Sequence, residues 1–137
     1  MAISVVRLGS PRAANEGPRL GTVRRPPRGV KKEEFASRDF YDVWLPDLSP
    51  TQELLSWALE QPLTGARFSS FAKKYRAEMK HQERLIALLA LLSKQTDFAV
   101  GCYCENPEQC HRSVLRELLL EAGADVRKST STDSGHE

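Results

Sequence analysis

The sequence predicts a single α/β domain over residues 1–128, with a mostly parallel sheet flanked by helices. Three observations carry this reading. Phe98 to Tyr103 is a short, continuous apolar run, as expected of a strand covered on both faces. Helical periodicity fills the chain from Ser49 to Ser93 and returns after Asn106. Candidate strands bracket these stretches in the order strand, helices, strand, helix, strand, which favours an α/β layer architecture. At 137 residues the chain is one domain by length and needs no disulfide or metal to fold.

Each element has its own justification. Ala2 to Leu8 alternates around Ile3, Val5 and Leu8 and reads as a first strand closed by Gly9-Ser10-Pro11. Arg12 to Pro18 is a polar loop; Arg19 to Arg24 is a short strand that ends at Pro26-Pro27, because proline donates nothing to a ladder. Residues 33–48 mix acids with Phe35, Phe40, Tyr41, Val43, Trp44 and Leu45, giving a turn and then a short extended segment. Ser49-Pro50-Thr51-Gln52 spells a helix start, with a serine cap, a proline where its missing N–H is harmless and a glutamine to complete a capping box. That helix is expected to run to about Glu60 and stop before Pro62.

Phe68, Phe71, Ala72, Tyr75 and Met79 form the stripe of a second, amphipathic helix. From Gln82 to Ser93 the apolar residues run nearly all round, which predicts a buried helix, with His81 at the junction as a capping or surface residue. Asn106-Pro107-Glu108-Gln109 repeats the cap pattern before a last helix with the buried stripe Val114, Leu115, Leu118, Leu119 and Ala122, stopped by Gly123. Ala124 to Lys128 is a candidate final strand. Ser129 to Glu137 holds almost nothing apolar and is expected to be a disordered tail.

Net charge is only +2, yet residues 1–32 carry eight Lys or Arg and one acid, Glu16. This asymmetry predicts a cationic face able to meet phosphate or nucleic acid, although no recognised nucleic-acid motif accompanies it. No apolar run approaches the ~20 residues that span a bilayer, so no membrane partner and a cytoplasmic location are expected. The cysteines number three, an odd count clustered within nine positions, which fits reduced thiols better than a disulfide framework.

All three, Cys102, Cys104 and Cys110, lie where the apolar strand gives way to the last helix. In parallel sheets, ligands bind beyond the carboxyl ends of strands, near helix N-termini. Cys110 and His111 are therefore the candidate catalytic residues, and Arg112 with Cys104 the adjacent ligand-binding candidates. Arg112 offers a bidentate donor suited to phosphate or carboxylate. Arg28, held by Pro26-Pro27 and followed by Gly29, is a further anion contact, with Arg24 and Lys32. The partner this set implies is a small anionic ligand, phosphate or nucleotide-type; no cofactor is named by the sequence.

Bland readings stand beside these: Arg112 paired with Glu108 at i, i+4, Cys110 as a small buried residue, and the N-terminal arginines as solvated surface. Cys110 to Arg116 also has the Cys-x5-Arg spacing of a phosphatase loop, but residues 111–115 read as helix without glycine. Cys102, Cys104, Cys110 and His111 offer metal ligands in kind. Successive helical residues diverge by about 100°, so no metal is expected. The same residues are compatible with a Cys104–Cys110 redox pair, and the basic N-terminal segment with a non-catalytic nucleic-acid or protein-binding module.

Four segments carry a family resemblance: Pro27-Arg28-Gly29-Val30-Lys31-Lys32-Glu33, Trp44-Leu45-x2-Leu48-Ser49-Pro50-Thr51, Phe71-x3-Tyr75-x2-Glu78, and the Cys-x5-Cys-His-Arg run of Cys104 to Arg112. In that order they resemble the YeaO-like family of small bacterial and archaeal proteins, over roughly residues 3–123. The resemblance implies this fold and the importance of these positions rather than a particular reaction. The chain departs from it at Val23-Arg24-Arg25-Pro26-Pro27-Arg28-Gly29, where many members read Asp-Arg-Leu-Trp-Pro-Arg-Gly.

Overall fold

The computed structural model describes residues 1–104 and 110–127, so the expected cap at 106–109 and the tail from 129 lie outside the described residues. The elements run β1 (Ile3–Arg7), β2 (Arg19–Gly21), β3 (Val43–Trp44), α1 (Gln52–Leu59), α2 (Gly65–Met79), α3 (Glu83–Leu92), β4 (Phe98–Cys102) and α4 (His111–Glu121). The four strands form one sheet in the order β1-β4-β2-β3, and every pairing is parallel. The α/β expectation holds. So does the reading of Phe98–Cys102 as central: β4 lies between β1 and β2, with all five residues buried.

Register brings the carboxyl ends of three strands level. Arg7 pairs with Cys102 and Gly21 with Gly101, and the ladder continues just past both strands: Leu8 N–H donates to Cys102 O and Thr22 N–H to Gly101 O. Gly101 is required by crowding, because a Cβ there would stand 2.6 Å from Val6 O. Ile3, Phe98 and Val100 pack with Leu54, Phe71, Tyr75, Ile86, Leu115 and Leu119, so all four helices share one core with the sheet. A second cluster, Leu8, Val23, Tyr41, Cys102 and Cys110, sits under the carboxyl ends of the strands.

Several expectations need correction. Ser49 is not the cap of α1. Thr51 caps it, its hydroxyl accepting from Leu54 N, while Glu78 of α2 accepts from Thr51 N at 2.9 Å and supplies the reciprocal bond expected of Gln52. Residue 49 precedes proline and is driven to an extended conformation, ψ 153°. Nor is α3 buried all round: Ile86, Leu89 and Ala90 face the core, whereas Leu88 and Leu91 are 49% and 60% exposed, because one helix face suffices to cover a sheet. On α4, Ala122 is exposed at the end of the stripe. The final strand reduces to one bridge, Ile3 with Val126, since Gly123 at φ +91° turns the chain back just before it.

The cationic segment is also reshaped. Arg19 is fully buried, its Nε donating to Glu16 Oε2 at 2.5 Å and its Nη1 to Asp39 O at 2.6 Å. Arg12 pairs with Asp39 and Asp42. These arginines fasten loops together, leaving Arg25, Arg28, Lys31 and Lys32 exposed on the segment together with Arg7. Among the described residues, no helix is long and apolar enough to cross a membrane.

Candidate functional site

The site is built where β4 ends and α4 begins. Cys110 is the N-cap of α4, extended at φ −138° and ψ 157°, and the helix starts at His111. The expected position of Cys110, a turn inside a helix capped by Asn106, is thus corrected. Three bonds tie the first turn down. His111 Nε2 lies 2.7 Å from Thr22 O, Arg112 Nη2 donates to Cys104 O at 2.9 Å, and Ser113 Oγ donates to Cys110 O at 2.8 Å.

Because Cys110 is not helical, the divergence of successive helical side chains does not separate it from its neighbour. Its Sγ stands 3.8 Å from His111 Nδ1 and 2.8 Å from Cys102 Sγ. The ligand atoms of Cys102, Cys110 and His111 all lie within 4.8 Å of one another, so these residues have the donor types and proximity of a soft-metal site. The sulfur spacing fits a tetrahedral zinc poorly: bonds of ~2.3 Å place two sulfurs about 3.8 Å apart. The same spacing suits two sulfurs poised for exchange, less than about 1 Å beyond an S–S bond.

Burial divides the three thiols. Cys102 and Cys110 are buried and Cys104 is exposed. Hydrogen bonds with the Cys102 and Cys110 thiols hold the Cys104 thiol well below its ordinary range, with His111 and Arg112 adding to the effect. The complement appears on the buried pair. Cys102 is pushed up by its bond to Cys104, and Cys110 by burial. The exposed thiol is thus shifted toward its charged form and the two buried ones away from it.

The His111 ring is buried, which pushes its pKa down to about 4. Its Nε2 faces two oxygens, Thr22 O at 2.7 Å and Thr22 Oγ1 at 3.4 Å; the hydroxyl itself donates to Gly101 O. The short contact to a carbonyl assigns the proton to Nε2 and leaves the Nδ1 lone pair toward Cys110. Tyr75 of α2 packs against the ring with centroids 5.5 Å apart.

The arginines expected to share one anion site do not line one common cleft among the described residues. Arg24 donates to the carbonyls of Pro50 and Pro46 and borders a cleft of about 690 Å³ with Glu78 and His81. Arg28 lines another, of about 660 Å³, with Phe40 and Tyr103. Gly29 has open space around it, and its φ of +70° is what calls for glycine, not a close ligand. Lys32 lies in an exposed 3₁₀ turn. Arg112 is only 4% exposed, with its Nε buried and without a partner among the described residues. Cys104 borders a third cleft, of about 510 Å³, with Ala58, Leu59, Glu60, Gln61, Pro62 and Leu63 from the α1–α2 turn.

Sequence reasoning missed Thr22, which serves through its backbone, and the α1–α2 turn that walls the Cys104 cleft. A carbonyl leaves no side-chain signal. Thr22 falls inside the strand expected over Arg19 to Arg24, where nothing singled it out.

A family model described as the active DUF488-N3 subclade matches residues 3–123. The uncharacterized protein YeaO of Escherichia coli is 28% identical over 119 residues, covering 87% of this chain and 97% of that protein. Two mycobacterial proteins, the uncharacterized Rv3073c of Mycobacterium tuberculosis and the uncharacterized Mb3100c of Mycobacterium bovis, are each 28% identical over 105 residues, covering 77% of this chain and 82% of theirs. These matches bear out the YeaO-like resemblance. No solved structure matches.

The buried imidazole makes stability depend on pH. The unfolded chain protonates this ring at the ordinary 6.5 and the folded chain only near 4, so its contribution is full above pH 6.5 and is lost as pH falls toward 4. Between pH 7 and 5 the parent is expected to lose about 2 kcal/mol more unfolding free energy than His111→Gln in denaturant titrations. Parallel pH profiles for the two proteins would contradict a ring that is neutral when folded.

Proposed function

The chain belongs to the DUF488-N3 family, in the subclade described as active, and on that premise we propose that it is a cysteine-dependent enzyme with Cys104 as its nucleophile. The observation that carries this reading is the division of labour among the thiols. The one exposed cysteine borders a cleft and is shifted toward its thiolate form, while the two buried ones are shifted away from it. A thiolate is the reactive form of cysteine, and hydrogen bonds plus nearby positive charge are the ordinary means of holding one at neutral pH. Arg112 acts from behind, fixing the Cys104 carbonyl. Cys110 and His111 remain in the catalytic set, beneath the nucleophile. The cleft beside Cys104 combines apolar Ala58, Leu59, Pro62 and Leu63 with Glu60, which suits a small, partly apolar substrate.

Selective alkylation tests the nucleophile. With a small haloacetamide at pH 6, peptide mapping is expected to find Cys104 modified at least about tenfold faster than Cys102 or Cys110. Equal labelling, or labelling that begins only in alkaline solution, would remove Cys104 from this role.

A second reading, an anion pocket at the N-terminus of α4, is favoured by the partnerless Nε of buried Arg112. The helix N-terminus and an unused guanidinium donor would serve one phosphate or carboxylate group. Inorganic phosphate at a hundred times its dissociation constant is then expected to stabilise the fold by about 2.7 kcal/mol. Arg112→Lys should blunt that gain; thermal unfolding indifferent to phosphate would end this reading. A nucleic-acid or protein-binding role draws less support, because Arg12, Arg19 and Arg24 are spent on internal contacts.

A further inference from the structure

A second cleft at the end of β4 plays no part in the thiol chemistry. Successive residues beyond the strand line different clefts: Cys104 borders the one walled by the α1–α2 turn, and Tyr103 the one of about 660 Å³ with Arg25, Pro26, Pro27, Arg28 and Phe40. The aromatic pair is held in place. Phe40 and Tyr103 meet edge to face with centroids 6.3 Å apart, and the Tyr103 hydroxyl donates to Arg25 O at 2.9 Å. Phe40 is seated against Gly9, where an added Cβ would stand 3.1 Å from its Cε1. It follows Asp39, a non-glycine residue in the left-handed region at φ +65°, and such a backbone persists only where its surroundings fix it. Here Asp39 O accepts from Gly9 N at 2.8 Å and from Arg19 Nη1 at 2.6 Å, so the buried Glu16–Arg19 pair secures the approach to Phe40.

The cationic side is anchored too. Pro26 and Pro27 fix two successive φ angles, Pro27 is buried, and Gly29 turns the chain at φ +70°, which leaves Arg28 exposed on a stiff corner. Arg28 makes no hydrogen bond or ion pair among the described residues. Nor does any carboxylate among them line this cleft, whereas Asp47 and Glu78 line the one beside Arg24 and Glu60 the one beside Cys104. Arginines beside aromatic rings select a ligand with an anionic end and a flat end. A bare phosphate would leave the rings idle, and an uncharged ring would leave the arginines idle. Two guanidinium groups suit a dianion, which a phosphate monoester is near neutral pH and a carboxylate is not.

We propose that this cleft binds a nucleoside monophosphate, its base against Phe40 and Tyr103 and its phosphate on Arg28 and Arg25. The volume lies within the range of about 300–1,000 Å³ of small-ligand sites. An aromatic face accepts any base, so the site reads ring and charge rather than base identity. Neither Cys104 nor Arg112 lines it, and it requires no nucleophile.

Calorimetric titration of the full-length protein with adenosine monophosphate, adenosine and inorganic phosphate tests this. The monophosphate is expected to bind once per chain and at least about tenfold more tightly than either fragment. Arg28→Gln, at an exposed position, should leave thermal unfolding unchanged and reduce the monophosphate to the affinity of adenosine. Phe40→Leu should weaken the monophosphate and adenosine alike by about tenfold, and abolish the upfield shift of the adenine protons that stacking produces in nuclear magnetic resonance spectra with the parent. Should Phe40→Leu fail to fold, the Arg28→Gln comparison alone decides. Monophosphate affinity that survives Arg28→Gln undiminished, or that is lost with Arg112→Lys instead, puts the phosphate elsewhere and overturns the proposal. Equal affinity for the monophosphate and inorganic phosphate overturns it as well, as does binding of a single-stranded oligonucleotide without any binding of the mononucleotide.

Discussion

The contact between His111 Nε2 and Thr22 O, 2.7 Å long, is the constraint on which the site depends. β4 runs up the middle of the sheet and delivers Cys102 to its carboxyl edge, beside Thr22 at the end of β2. By holding the first residue of α4 against β2, the imidazole sets the cap residue, Cys110, over the end of β4 and within 2.8 Å of Cys102. It also fixes the ring's tautomer, so one hydrogen bond positions both the second sulfur and the imidazole beside it. Tyr75 packs on the same ring and donates its hydroxyl to Leu48 O, which links the site to the helical layer.

That arrangement explains why negative charge collects at one sulfur. A thiolate among apolar side chains would be costly, so Cys102 and Cys110 keep their protons. Cys104 lies beyond the last ladder residue, where water reaches it. His111 cannot compete for a proton, since burial holds it neutral far below neutral pH. Burial sets the shifts of Cys110 and His111, whereas coupling between Cys102 and Cys104 drives those two apart.

The sheet and helices were legible because their signals are periodic: the apolar run of β4, the Phe68 to Met79 stripe and the Gly123 stop all reappear in the fold. The cluster was legible as a place, through three cysteines and a histidine at a strand-to-helix junction. Its internal order was not. Whether Cys110 sits inside a helix or at its cap depends on a tether to Thr22 O, a backbone atom 89 residues away in sequence. The N-terminal charge misled for a related reason. Glu16 and Arg19 look like loop surface in sequence but are 3% and 0% exposed, an ion pair that only tertiary contacts with Asp39 and Pro11 could bury.

The reading of Cys104 as nucleophile requires that one thiolate, on Cys104, exists in the resting protein at neutral pH. Ultraviolet thiolate absorbance followed through an acid-to-alkaline titration measures this directly. The expected result is one thiolate per chain at neutral pH, titrating well into the acid range and absent from Cys104→Ser, with the other two thiols ionising only in strong alkali. A chain with no thiolate until the ordinary alkaline range, or one whose neutral-pH absorbance survives Cys104→Ser, would contradict it.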